Sequence, residues 1–142
     1  MGRILRSTGV TLVALAATVA LGSCFAPNPP FLQTSSGVVA VSVYDSDIAE
    51  EALFHGVLSW GPDGCLMAGV GDEATLIVFP KGTTLDQNDE IVLPDGVHIR
   101  PGDEVGLGGG SRPPNPDSKT LGAIPAECLT DEIFYASGEV AE

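Results

Sequence analysis

The sequence predicts an all-β protein: a small antiparallel barrel or sandwich of about seven short strands, with at most one short helix and one disulfide. Three observations carry that expectation. Short runs rich in β-branched and aromatic residues recur from Val38 to Val140, the pattern that strands leave in a sequence. Turn chemistry separates them, Pro62-Asp63-Gly64 and Pro94-Asp95-Gly96 being the clearest cases. In such turns proline presets φ, aspartate bonds the backbone two residues on, and glycine accepts positive φ. Two cysteines, Cys65 and Cys128, stand 63 positions apart in the same part of the chain.

The chain opens with Arg3 and Arg6, runs apolar from Val10 to Leu21, and leaves that run through the small residues Gly22 and Ser23. Charge, then a short apolar stretch, then a small-residue exit is the layout of a secretory signal peptide over residues 1–23. As a helix the apolar run would measure roughly 18 Å, against about 30 Å of bilayer hydrocarbon, too short for a comfortable span. Leu21-Gly22-Ser23-Cys24 resembles the lipobox of bacterial lipoproteins. The resemblance implies that Cys24 receives a diacylglyceryl group on its sulfur, that the leader is cut before it, and that acyl chains at Cys24 hold the protein on the membrane. Two chains suffice for stable anchoring, since each buried methylene contributes about 0.8 kcal/mol. An ordinary cleavage nearby, giving a soluble secreted protein, is the alternative.

Residues 25–37 carry three prolines and no charge, and with no periodicity they read, together with Cys24, as a Pro-rich tether over 24–37. The single β domain is expected over 38–142. Val38 to Tyr44 alternates Val39, Val41 and Val43, a strand. Ser46 to Leu53 reads either as one or two helical turns with acids near the start or as more strand. Phe54 to Trp60 and Cys65 to Val70 flank the first Pro-Asp-Gly turn as a hairpin. Ala74 to Phe79 is almost continuously apolar, as a central strand buried on both faces would be. Ile91 to Leu93 and Val97 to Ile99 form a second hairpin about Pro94-Asp95-Gly96. Val105 and Leu107 continue, residues 108–127 read as a long loop, and Ile133 to Val140 closes the chain as a strand.

Once residues 1–23 are removed, 119 residues remain, enough for one core and too few for two. The formal net charge of the whole chain is −13, and loss of Arg3 and Arg6 with the leader makes it two units more negative. A nucleic-acid binder needs a basic footprint, so nucleic acid is excluded as a partner. Docking of the domain itself on anionic headgroups is disfavoured for the same reason. In a chain routed to an oxidising compartment, Cys65 and Cys128 pair by default. No C-x-x-C or histidine cluster offers a zinc site.

Catalytic motifs return near misses. Gly56-Val57-Leu58-Ser59-Trp60-Gly61 is one residue too long for a hydrolase elbow, and only His55 and His98 exist as bases for Ser59. Asp86, Asn88 and Glu90 occupy the first, third and fifth places of an EF-hand-like loop, but Ile91 stands at the sixth and Val97 at the twelfth. A looser oxygen site from Asp86, Asp89 and Glu90, or from Asp45 and Asp47, competes with a plainly solvated acidic surface. Gly106 to Gly110 lacks the context of a phosphate loop and suits flexible backbone or a close strand crossing. Trp60, Phe79, Phe134 and Tyr135 are candidates for a ligand face, with core packing the commoner fate of such residues. No catalytic residue, metal ligand or cofactor is therefore assigned.

Gly64-Cys65, Val78 to Thr83, Asp95-Gly96, Pro101-Gly102-Asp103 and Gly108-Gly109-Gly110 before Cys128 together resemble a group of small exported actinobacterial proteins of unassigned function. That resemblance implies a compact OB-like β-barrel and no activity. The functional expectation is a cell-envelope lipoprotein on the outer face of the cytoplasmic membrane. It would act as a non-enzymatic binding module for an envelope protein, peptide or glycan. A hydrolase with a site assembled from distant loops and an acidic structural surface protein are the alternatives.

Overall fold

The computed structural model describes residues 29–44, 52–61, 63–69, 73–115 and 117–140. The expected leader, Cys24, the carboxylates Asp45 and Asp47, and most of the proposed helical stretch after Ser46 lie outside the described residues. Ten strands are present among them: β1 (Phe31–Gln33), β2 (Val38–Val41), β3 (Ala52–Trp60), β4 (Leu66–Ala68), β5 (Thr75–Phe79), β6 (Thr84–Leu85), β7 (Ile91–Val92), β8 (His98–Ile99), β9 (Glu104–Arg112) and β10 (Ile133–Val140). The described helical content is two short 3₁₀ turns, Leu121–Ala123 and Ala126–Cys128. No described helix is long and apolar enough to cross a membrane.

Seven strands form one sheet in the order β1-β2-β5-β10-β9-β3-β4, and β4 also pairs with β5. The ladder therefore returns on itself through β5, β10, β9, β3 and β4. This is possible because one edge of β5 is shared. Thr75 and Leu76 face Ala68 and Met67 of β4, whereas Val78 and Phe79 face Ala40 and Val41 of β2. The sheet is mixed, which corrects the expectation of purely antiparallel pairing: both β2 and β10 run parallel to β5. Periodicity reports which face a residue takes and carries no strand direction, so the sequence could not distinguish the two. The near-continuous apolar run of β5 is what a parallel, doubly covered strand looks like.

Burial follows from that arrangement. Ile77 and Phe79 of β5 join Val39, Leu58, Leu66, Leu107 and Phe134 in one core, and the rings of Phe54 and Phe134 meet at 5.2 Å between centroids. Leu76 and Val78 point the other way, into a second core with Ala40, Leu121, Ile124, Ile133 and the two half-cystines. A three-stranded sheet of β6, β7 and β8 contributes Ile91 and Ile99 to the first core. Cys65 and Cys128 are joined as expected, with their Cα atoms 5.7 Å apart, inside the range disulfides favour. The bond ties the turn after β3 to the segment covering the second core.

Two boundaries move. The expected tether over 24–37 stops short of Phe31, because Phe31 to Gln33 pairs antiparallel with Val38 to Ala40. Phe31 packs on the second core and Leu32 on the first, so an uncharged Phe-Leu pair finds cover even next to prolines. Edge strands tolerate such neighbours. The expected loop over 108–127 begins only at Pro113, since β9 runs through Gly108, Gly109 and Gly110 to Arg112. Glycine is a weak strand former, and pairing with β3 on one side and β10 on the other overrides it here.

Candidate binding groove

The loop after β9 is the longest in the domain, and it is ordered by its own polar side chains. Asn115 accepts the Asp117 N–H on its side-chain oxygen at 3.0 Å and the Ser118 N–H on its carbonyl at 2.9 Å. The Ser118 carbonyl then receives the Gly122 N–H at 2.8 Å. Thr120, 2% exposed, accepts the Val43 N–H on its hydroxyl at 3.4 Å. The loop is thereby fastened to the stretch that follows β2. Ser42, at the start of that stretch, donates its N–H to the Phe79 carbonyl at 2.8 Å.

Between loop and sheet lies a cavity of about 320 Å³ lined by Ser42, Tyr44, Val78, Arg112, Pro113, Asn115, Ser118, Thr120, Tyr135 and Ala136. Its floor is the parallel pair Val78 and Tyr135. Gly110 of β9 is the antiparallel partner of Tyr135 on the other side of β10. Burial pushes the Tyr135 hydroxyl above its usual range, with the nearby Arg112 guanidinium pulling the other way. The phenol is consequently a neutral donor throughout physiological pH. Tyr44, 55% exposed, stands at the rim. The lining thus brings together two tyrosines, one arginine and the side chains of Ser42, Asn115, Ser118 and Thr120, each of the last four already accepting a backbone N–H within the protein.

The residues singled out from the sequence distribute differently. Of the four aromatics, Phe79 and Phe134 are core residues, 0% and 2% exposed. Only Tyr135 lines the groove. Trp60 lies between two other depressions, one of about 410 Å³ beside the disulfide with Asp63 and Glu127, the other of about 510 Å³ with Asp89, Glu90 and Arg100. Ser59 and His55 are both exposed on β3, four residues apart, hence roughly 13 Å at about 3.3 Å per residue. They are not brought together. His98 is on β8, where its Nδ1 lies 3.3 Å from Glu90 Oε2 and 3.8 Å from Asp86 Oδ2, while Arg100 reaches the other Glu90 oxygen at 3.3 Å.

Asp86, Glu90 and His98 present one donor atom each within 4.8 Å of one another. Asp89, the third acid of the looser oxygen site, is not among them: its carboxylate turns away to accept the N–H and hydroxyl of Ser35 at 3.0 and 2.8 Å. Asp86 is occupied as well, accepting the N–H groups of Asn88 and Glu90 at 2.7 and 3.0 Å on Oδ1. These backbone donors hold the Asp86 carboxyl below its usual value, and the Ser35 N–H does the same for Asp89. The cluster as it stands is an exposed ion-pair network that pins the turn between β6 and β7.

Groove residues Tyr44, Arg112, Asn115 and Thr120 carried no sequence signal: they belong to no motif, and Tyr44 lies far from the other three in the chain. The only hint was the length of the loop that brings three of them together. Comparison of the chain with family models, with curated proteins and with solved structures finds no significant match.

Proposed function

We propose that this chain is a cell-envelope lipoprotein acting as a non-enzymatic binding module, with its ligand seated in the groove over Val78 and Tyr135. In this reading residues 1–23 are a leader, and Cys24 carries the acyl chains on the outer face of the cytoplasmic membrane. Residues 25–30 then hold the domain off the bilayer. The closed five-strand circuit, whose third and fifth members in chain order, β5 and β10, run parallel, supports the OB-like barrel as its fold.

The observation that carries the binding reading is the groove itself. A long loop, fastened at Thr120 and stiffened by Asn115, covers the outer face of the sheet and leaves a concave, partly aromatic pocket there. Pockets of a few hundred Å³ lined by apolar surface with a few convergent polar groups are the usual form of small-ligand sites.

The test is a chemical-shift titration of the full-length protein in detergent with neutral saccharides, acidic saccharides and short peptides. Shifts concentrated at Ser118, Thr120, Tyr135 and Ala136 with any of these probes are the expected result. A panel that moves none of those signals, or moves only signals around Trp60, overturns the groove as the binding site.

A further inference from the structure

We infer that Asp86, Glu90 and His98 form a binding site for a divalent transition cation, with zinc the best match; the site lies outside the groove and does not rest on the binding reading above. Strand alternation builds it. Leu85, Ile91 and Ile99 are in register across β6, β7 and β8 and turn their side chains into the first core. Asp86 follows Leu85, Glu90 precedes Ile91 and His98 precedes Ile99, so all three take the opposite, solvent-facing side of the same small sheet. No motif announces the cluster. The register makes it.

One donor atom of each residue faces the other two. His98 Nδ1 lies 3.3 Å from Glu90 Oε2 and 3.8 Å from Asp86 Oδ2, and the three atoms fall within 4.8 Å of one another. Ligands about 2.0–2.2 Å from zinc at the corners of a tetrahedron stand roughly 3.4 Å apart, so the two separations about the histidine are close to those a shared zinc imposes. The other oxygen of each carboxylate is engaged elsewhere and helps to fix the first. Asp86 Oδ1 accepts the N–H groups of Asn88 and Glu90, and Glu90 Oε1 meets Arg100 at 3.3 Å. Carboxylate ligands are commonly oriented in this way by hydrogen bonds from their surroundings. Coordination asks the histidine to carry its proton on Nε2 and turn the Nδ1 lone pair to the cation, which then replaces the contact between Nδ1 and Glu90.

The nitrogen decides the metal. Calcium takes about six to eight oxygen ligands, whereas an imidazole beside two carboxylates suits zinc and its borderline neighbours. The two carboxylates outweigh the charge of Arg100, and a chain with 19 acidic residues against 6 basic ones draws cations to its surface. His98 is 51% exposed, so the cation enters directly from solvent. Three protein ligands leave the fourth tetrahedral position to water or to a donor from a bound partner.

The experiment titrates the full-length protein in detergent with zinc chloride, and separately with calcium chloride, and follows the imidazole signals of both histidines. Zinc is expected to move His98 and to leave His55, on β3, in place. Calcium at about tenfold higher concentration is expected to move neither. His98→Ala and Glu90→Gln should each weaken zinc binding by about tenfold or more, with the amide signals of the first core unchanged, and His55→Ala should bind as the parent does. Zinc that leaves the His98 signals in place, that moves both histidines alike, or that binds His98→Ala as tightly as the parent overturns the site. Calcium that acts as zinc does also overturns it, because the effect is then an attraction to acidic surface at large. No groove residue is a ligand, so each of these outcomes leaves the groove reading where it stood.

Discussion

Gly109 lies against the backbone of Tyr135 so closely that a Cβ at 109 would stand 2.0 Å from the Tyr135 carbonyl oxygen. The position also has φ of +152°, which side chains other than hydrogen rarely adopt. The glycine of β9 therefore fixes how near β10 can come, and with it where the floor of the groove sits.

Gly109→Ala is expected to destabilise the protein by about 2–4 kcal/mol, combining backbone strain with overpacking. Gly122→Ala, where an added Cβ meets nothing within 4 Å, is the control and should stay within about 0.5 kcal/mol of the parent. Urea unfolding of the two variants makes the comparison. Equal stabilities would refute the close contact.

Replacing Cys65 and Cys128 together by serine is expected to cost about 4 kcal/mol for a loop of 63 residues, on the chain-entropy account. The loss should appear as a lower urea midpoint, and reduction of the parent should reproduce it. Because the bond is part of the second core, amide exchange should rise first around Leu121 and Ile124.

Asp86 and Asp89 both have folded-state pKa values below those of the unfolded chain. The unfolded state consequently binds protons more readily, and the two carboxylates contribute stability that is present above about pH 4 and disappears as pH falls through their folded values. Both are exposed, so the contribution is small and shrinks with salt. The Asp86→Asn, Asp89→Asn double variant should have a lower Tm than the parent at pH 6, and the gap should narrow as pH falls below about 4. A gap that persists at pH 2 would contradict the assignment.

Cys24→Ser is expected to move the protein from the membrane fraction to the soluble or precursor fraction. The intact mass of the parent should exceed that of residues 24–142 by the acyl groups, and reduction should add two hydrogens at the disulfide. A parent of unmodified mass recovered without detergent would refute lipidation.

Much of the fold was legible because it depends on local rules. The turns at Asp63-Gly64 and at Pro94-Asp95-Gly96 are where they were expected, with Gly64 and Gly96 at φ of +74° and +89°. The strand from Ile133 to Val140 and the doubly buried β5 also follow their sequence patterns. Direction, sharing and rescue were not legible. Nothing in Thr75 to Phe79 announces that half of its edge serves β4 and the other half β2, and nothing in a run of three glycines announces a central strand. The groove was hidden for the same reason. Tyr44, Arg112 and Tyr135 meet only because β2, β9 and β10 are all ordered around β5, a tertiary fact with no counterpart in spacing.

The shared edge of β5 has a mechanical meaning. Among the described residues the hairpin of β1 and β2 joins the closed circuit along β5, through the two register pairs at Val78 and Phe79, and at the Val38–Cys65 bridge, while its turn is tied to the β6–β7 turn by Ser35 and Asp89. Tension arriving along the chain from its N-terminal side meets the three pairs between β1 and β2 first. Ser42 and Tyr44 follow β2 directly, and the Ser42–Phe79 and Val43–Thr120 hydrogen bonds fasten that stretch to the sheet and to the long loop, so a pull that peels β1 alone would leave this wall of the groove standing.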